Sequence, residues 1–159
     1  LDRQKHHVRS IKLDRFKRET FGNQVNSYFL EQKGQLDRVI YSLLRVRDFH
    51  LAQELFFRIQ AGESTLSELA AQYSAGMEAE TGGTIGPCEL STPHPDLAHK
   101  LVTLQPGELS PPMQIGDWFV LVRLEKYLPA QLDEAMQARL LDQLFEEWIQ
   151  EKLANLRPN

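Results

Sequence analysis

The side chains able to do chemistry are few and scattered along the chain. His6 and His7 are a tempting metal pair, but neighbouring residues on a helix face different directions and no third ligand lies near them in sequence. Solvent exposure is the expected fate of both. Cys88 is the single cysteine, which excludes an internal disulfide and a cysteine-rich metal site. Placed beside Pro87 after a glycine-rich loop, it reads as a small packed residue rather than a nucleophile. His94 and His99 sit before and on a short helix, as solvated side chains rather than as an acid or base. Gly82-Gly83-Thr84-Ile85-Gly86 lacks a following Lys-Ser/Thr pair, so it is not read as a phosphate loop. No metal-ligating set is therefore read from these residues. What the chain concentrates instead is backbone geometry: Thr81 to Pro112 holds four of the nine glycines and six of the eight prolines. Glycine tolerates positive φ and proline fixes φ, so this run specifies a series of turns, and a functional groove is expected there.

The rest of the chain bounds what such a groove serves. At 159 residues, 42% hydrophobic and 25% charged, it has the composition of a soluble globular protein, and no window reaches a membrane span. The first 50 residues hold 11 Lys and Arg against 6 acids, and the remainder 7 against 16. A basic arm of this kind can attract nucleic acid, but its aromatics fall in the apolar register rather than interleaved for stacking. It reads as a solvated helix face, and no nucleic-acid partner is expected. No apolar leader follows Leu1, and a single cysteine suits a reducing compartment, so the cytoplasm is favoured on sequence.

The elements that must position the groove follow from periodicity. Val8, Ile11 and Phe16 recur among charges in an amphipathic helix from Leu1 to about Thr20, interrupted at Phe21-Gly22-Asn23. A second helix carries Val25, Tyr28, Phe29 and Leu30 and is expected to end near Lys33-Gly34, with Gly34 at the C′ position. Val39 to Val46 is a buried strand. Asp48 caps a helix with Leu51, Ala52, Leu55, Phe56 and Ile59 on one face, ending at Ala61-Gly62, and that helix covers the strand. Thr65 and Glu68 have capping-box spacing and open a short helix that stops at Ser74-Ala75-Gly76. Pro95 starts another, with Leu97, Leu101 and Leu104 inward. Trp118 to Tyr127 reads as a central strand, and Asp133 opens a last helix whose broad apolar face includes Leu140, Leu144, Phe145 and Trp148. That face exceeds what one strand needs, so this helix is paired with the two amino-terminal ones, Phe145 and Trp148 meeting Phe16, Phe21 and Phe29.

This order of elements resembles the parvulin-type peptidyl-prolyl isomerases over about Val39 to Tyr127. The matching stretches are Ser64 to Ser74 (STLSELAAQYS), Gly82-Gly83-Thr84-Ile85-Gly86, Leu104 to Ser110 (LQPGELS) with Pro112, and Val120 to Leu124 (VLVRL). The flanking helices resemble those of SurA-type chaperones. The resemblance implies an α+β fold: a small antiparallel sheet wrapped by helices, with a helical module built from both ends of the chain. The expected divisions are 1–37, 38–128 and 129–159.

The resemblance also implies a shallow groove for an Xaa-Pro segment, needing no cofactor. Active parvulins line it with two histidines, a Cys or Asp, a Thr, and a Met and Phe floor. Carried over without gaps, the first histidine falls on Ser42, the Cys or Asp on Gly76, the Met on Pro93, the Phe pair on Leu97 and Val102, the Thr on Ile115, and the second histidine on Val120. None of the polar signature survives. Ser42, Gly76, Pro93, Leu97, Val102, Ile115 and Val120 are thus expected to bind substrate, with no catalytic residue among them. The reading implied is a folding factor for unfolded or proline-containing polypeptide clients, with isomerase activity weak or lost. An isomerase with an altered site and a dedicated protein-interaction domain are the alternatives. The sequence carries no signal for oligomeric state.

Overall fold

The computed structural model describes residues 2–156, so Leu1 and residues 157–159, at the outer ends of the expected 1–37 and 129–159 segments, lie outside the described residues. The chain divides into two compact units, Gly34–Ala130 and the combination of Leu1–Lys33 with Gln131–Asn159.

The Gly34–Ala130 unit is built on a four-stranded antiparallel sheet in the order β2-β1-β4-β3. β1 (Arg38–Val46) and β4 (Trp118–Leu128) pair along their lengths at its centre. Both must be apolar on two faces because helices cover both sides. On one side Leu44, Val46 and Leu121 pack under α3 (Phe49–Gln60) and α4 (Leu66–Tyr73), with Leu55 and Leu66 wholly buried. On the other, Val39, Tyr41, Leu43, Val120, Val122 and Leu124 pack against Leu97 and Leu101 of α5 (Pro95–Thr103) and against Leu104. The two clusters make this an α+β domain with a sheet between helical layers.

The helix starts are those the residues specify. Asp48 accepts from the His50 amide, and Thr65 and Glu68 form a reciprocal capping box. Asp133 accepts from the Met136 amide at 2.8 Å to open α6 (Glu134–Asn155). Two edge strands had no sequence signal, β2 (Thr84–Glu89) and β3 (Met113–Ile115). β2 contains Gly86-Pro87, and β3 is three residues long, so neither shows an alternating pattern.

The other unit contains α1 (Asp2–Phe21), a 3₁₀ turn at Gly22–Gln24, the start of α2 (Val25–Leu36), and α6. Phe16 meets Phe21, Phe145 and Trp148 with ring centroids 5.8 to 6.4 Å apart. Phe21 also meets Trp148 at 6.3 Å. Lys17 bonds Asp142 at 2.8 Å, and the Tyr28 hydroxyl donates to Glu147 at 2.9 Å. α6 therefore packs with the amino-terminal helices through aromatic faces. Three expectations need correction here. Phe29 is buried but has no ring partner among the described residues. Val8 and Ile11 are about half exposed, at 48% and 51%, so the amino-terminal half of the α1 stripe is left uncovered. Gly34 does not end α2: it is helical, and the helix runs on to Leu36, whose burial holds the last turn in place.

Candidate functional site

The stretch from Thr81 to Pro112 is bolted to the sheet through its own backbone. Gly83 adopts φ +86°, its amide donates to the Glu78 carbonyl at 2.7 Å, and its carbonyl accepts from Leu43 N at 2.8 Å. A Cβ there would stand 2.8 Å from the Leu43 carbonyl oxygen and 3.0 Å from the Ala70 methyl, so only glycine allows the loop this close to β1. Further along, Pro106-Gly107 forms a turn closed by Glu108 N to the Gln105 carbonyl, with φ +86° at Gly107. Gly107 N and Ser110 N then donate to the Leu124 and Val122 carbonyls, at 2.6 and 2.8 Å. The turn chemistry thus lays this segment along β4.

The sheet face beneath α5 forms the floor. Leu97 and Val120, at 5% and 3% exposure, belong to one buried cluster, and Ile115, Met113 and Trp118 pack partly buried against it. Val120 pairs with Met113 on β3 and with Arg45 on β1, which puts the Arg45 side chain on this same face. The Arg45 guanidinium lies against the α-carbon of Gly76: a Cβ built on Gly76 would overlap its Nη2 and the Glu78 Oε2. Arg45 Nε donates to Glu78 Oε1 at 2.9 Å, and the same oxygen accepts from Ser74 Oγ at 2.8 Å. The ring of Trp118 has Arg45 Cζ 5.1 Å and Arg47 Cζ 4.6 Å from its centroid. Glu78 is only 6% exposed and Arg45 36%, so the pair is half-sheltered, with the cation outermost.

The sequence-derived site residues separate under this geometry. Leu97, Val120, Ile115 and Gly76 come together around Arg45 and the floor, Leu97 and Val120 as core residues rather than open lining. Val102 lies on α5, 53% exposed, and Pro93 is half-buried in the loop before α5. Ser42 does not reach this face. It pairs opposite Arg123, and its Oγ donates to Glu125 Oε1 at 3.0 Å on the other side of the sheet. Leu43, one residue on, holds the groove-side position, because a one-residue slip in a strand turns a side chain to the opposite face.

Arg45, Glu78 and Trp118 were missed. The available signal was an arginine inside the apolar run Leu43-Leu44-Arg45-Val46, since a charge in a buried strand requires a partner.

Burial pushes the Cys88 thiol up. Burial, aided by Cys88 and Glu78, pushes Tyr41 up to about 12. His94 caps α5 by accepting from the Asp96 amide at 3.1 Å, and His99 is exposed. Among the described residues no three His, Cys, Asp or Glu side chains form a metal-ligating group. A concavity of about 560 Å³ lies among Asp14, Arg18, Glu134 and Leu141 and one of about 450 Å³ along His50, Phe57 and Arg58; neither includes the groove residues. No helix is long and apolar enough to cross a membrane among the described residues.

Residues 49–126 match the family model of the rotamase domain described as the PPIC-type PPIase domain. No curated protein matches the chain at a significant level. Among solved structures, a PpiC-type peptidyl-prolyl cis-trans isomerase domain superposes with a TM-score of 0.59 at 19% identity, covering 63% of this chain and 99% of that one. The peptidylprolyl isomerase PrsA from Bacillus anthracis gives 0.61 at 21%, covering 94% and 74%. One of the structures described as SurA-like chaperones of Campylobacter jejuni gives 0.54 at 16%, covering 100% and 72%. The Gly34–Ala130 unit thus has the parvulin fold, and the flanking helices have counterparts in the larger structures.

Proposed function

We propose that this chain, whose residues 49–126 carry a parvulin-type rotamase domain, is a folding factor that holds unfolded or proline-containing segments with little isomerase turnover. The observation that carries the reading is the guanidinium of Arg45 against Gly76, filling the space where the parvulin resemblance expects a Cys or Asp side chain. Around it Val120, where the second histidine is expected, presents only methyl groups, and Leu43 faces this side where Ser42, the expected first-histidine position, does not. Prolyl isomerisation breaks no covalent bond, so a site lowers the roughly 20 kcal/mol barrier only by favouring the twisted amide over the planar one. Without the family's polar network, a bound peptide gains apolar contact and no such preference. The likeness to a structure described as one of two SurA-like chaperones supports a client-holding role.

Two measurements on the wild-type protein test this. Exchange spectroscopy on Xaa-Pro peptides should show cis/trans rates within about twofold of the uncatalysed tens of seconds. Stoichiometric protein should suppress aggregation of several unrelated unfolded clients. Acceleration of a hundredfold would establish an isomerase with an altered site, and suppression confined to one client would point to a dedicated interaction domain.

A further inference from the structure

Two guanidinium groups lie over Trp118, that of Arg47, which is exposed, and that of Arg45, which the fold holds in place. Its Nε edge is held by buried Glu78, its plane rests over Trp118, and its backbone is tied on both sides, N to Ser74 Oγ at 3.1 Å and O from Ala75 N at 3.0 Å. One carboxylate engages at most two of the five guanidinium N–H donors along one edge, so by planarity the others point away from Glu78. Nη2 lies beside Gly76 together with Glu78 Oε2, and the side chain is 36% exposed, which leaves the remaining donors within reach of water or a ligand.

We propose that Arg45 holds a bound client through the carbonyl oxygen of the residue preceding proline, gripping the planar ground-state amide. This rests on the reading of the groove as a peptide site. In a planar prolyl amide the nitrogen lone pair is delocalised, and the oxygen carries the negative charge. As the bond twists, that charge returns to nitrogen and the oxygen becomes a weaker acceptor. A cation on the oxygen therefore stabilises the ground state more than the transition state, tightening binding without aiding turnover. The same residue that fills the expected Cys or Asp position thus turns the groove into a holder that selects backbone geometry.

The test compares fluorescein-labelled Ala-Ala-Pro-Phe with its thioxo analogue, in which sulfur, a poor acceptor, replaces that one oxygen. Wild-type protein should bind the oxo peptide about fivefold to tenfold more tightly, the range of a charge-assisted hydrogen bond in a partly exposed site. Arg45→Met should lose that preference and bind both peptides alike, without any fall in exchange rate. Arg45→Met with Glu78→Met supplies a second variant lacking the orphaned buried carboxylate, and circular dichroism confirms folding. Equal wild-type affinity for the two peptides overturns the proposal, as does a preference that survives Arg45→Met. Wild-type protein that binds neither peptide refutes the groove reading itself, a separate failure.

Discussion

Gly76→Ala gives the sharpest test of the arrangement, because the backbone there permits the change and the neighbours do not. Gly76 has φ −103° and ψ −173°, ordinary extended geometry for any residue. Alanine should therefore stabilise by about 0.4–1 kcal/mol through the unfolded chain. The added methyl, however, would overlap Arg45 Nη2 and Glu78 Oε2 and sit 2.6 Å from Arg45 Cζ. The guanidinium is the flexible end, so it leaves, breaking the 2.9 Å bond to Glu78. A charged hydrogen bond contributes about 1.5–3 kcal/mol, reduced here because Arg45 is 36% exposed and water replaces part of it. Glu78 keeps Ser74 at 2.8 Å. The balance is a destabilisation of about 1 kcal/mol, or about 0.5 M in urea midpoint for a slope near 2 kcal/mol/M. In an Arg45→Met background the guanidinium is gone and only the Glu78 carboxylate, whose Oε2 the added methyl would overlap, has to turn aside, so the same substitution should be close to neutral. This double-mutant cycle, followed by tryptophan fluorescence in urea, should show about 1 kcal/mol of coupling. An equal effect of Gly76→Ala in both backgrounds would refute the placement of the guanidinium.

Two further outcomes can be checked on the same instrument. Gly83→Ala should cost about 2–4 kcal/mol, combining a positive φ with contact on the Leu43 carbonyl, whereas Gly107→Ala, at the same φ of +86° but with nothing within 4 Å, should cost only about 1; equal costs would show that the Gly83 loop is not pressed against β1. For alkaline pH, burial raises Tyr41 and burial with Asp37 raises Tyr127, each from 10 to about 12. The neutral phenols therefore contribute fully below pH 10, and that stability is lost as pH rises from 10 through 12, where unfolded tyrosines ionise first. The urea midpoint should fall across that window and fall less steeply in Tyr41→Phe, while a flat profile would contradict the burial of Tyr41.

Local chemistry made much of the fold legible. Asp48, the Thr65 and Glu68 pair, Pro95 and Asp133 marked helix starts through side chain to backbone bonds that span three residues or fewer, or through a fixed φ. Such signals need no tertiary context. β2 and β3 escaped because their pairing with β1 and β4 is non-local and their own residues include Gly86, Pro87 and few apolar side chains. The end of α2 was misplaced at Gly34 because propensity yields to burial, and Leu36 beyond it is buried.

In the groove, the sequence by itself determined the frame and the absence of histidines: no residue substitution can be hidden from a chain read letter by letter, and Gly83 and Gly107 mark backbone conformations set within a few residues. Which side chains face that frame was decided by the tertiary structure alone. Strand parity turned Ser42 to the far side and Leu43 to the near one, and Arg45 found Glu78, 33 residues away, and Trp118 across the sheet. Facing and long-range pairing depend on register between strands, and register is a property of the packed sheet, not of either strand's own sequence.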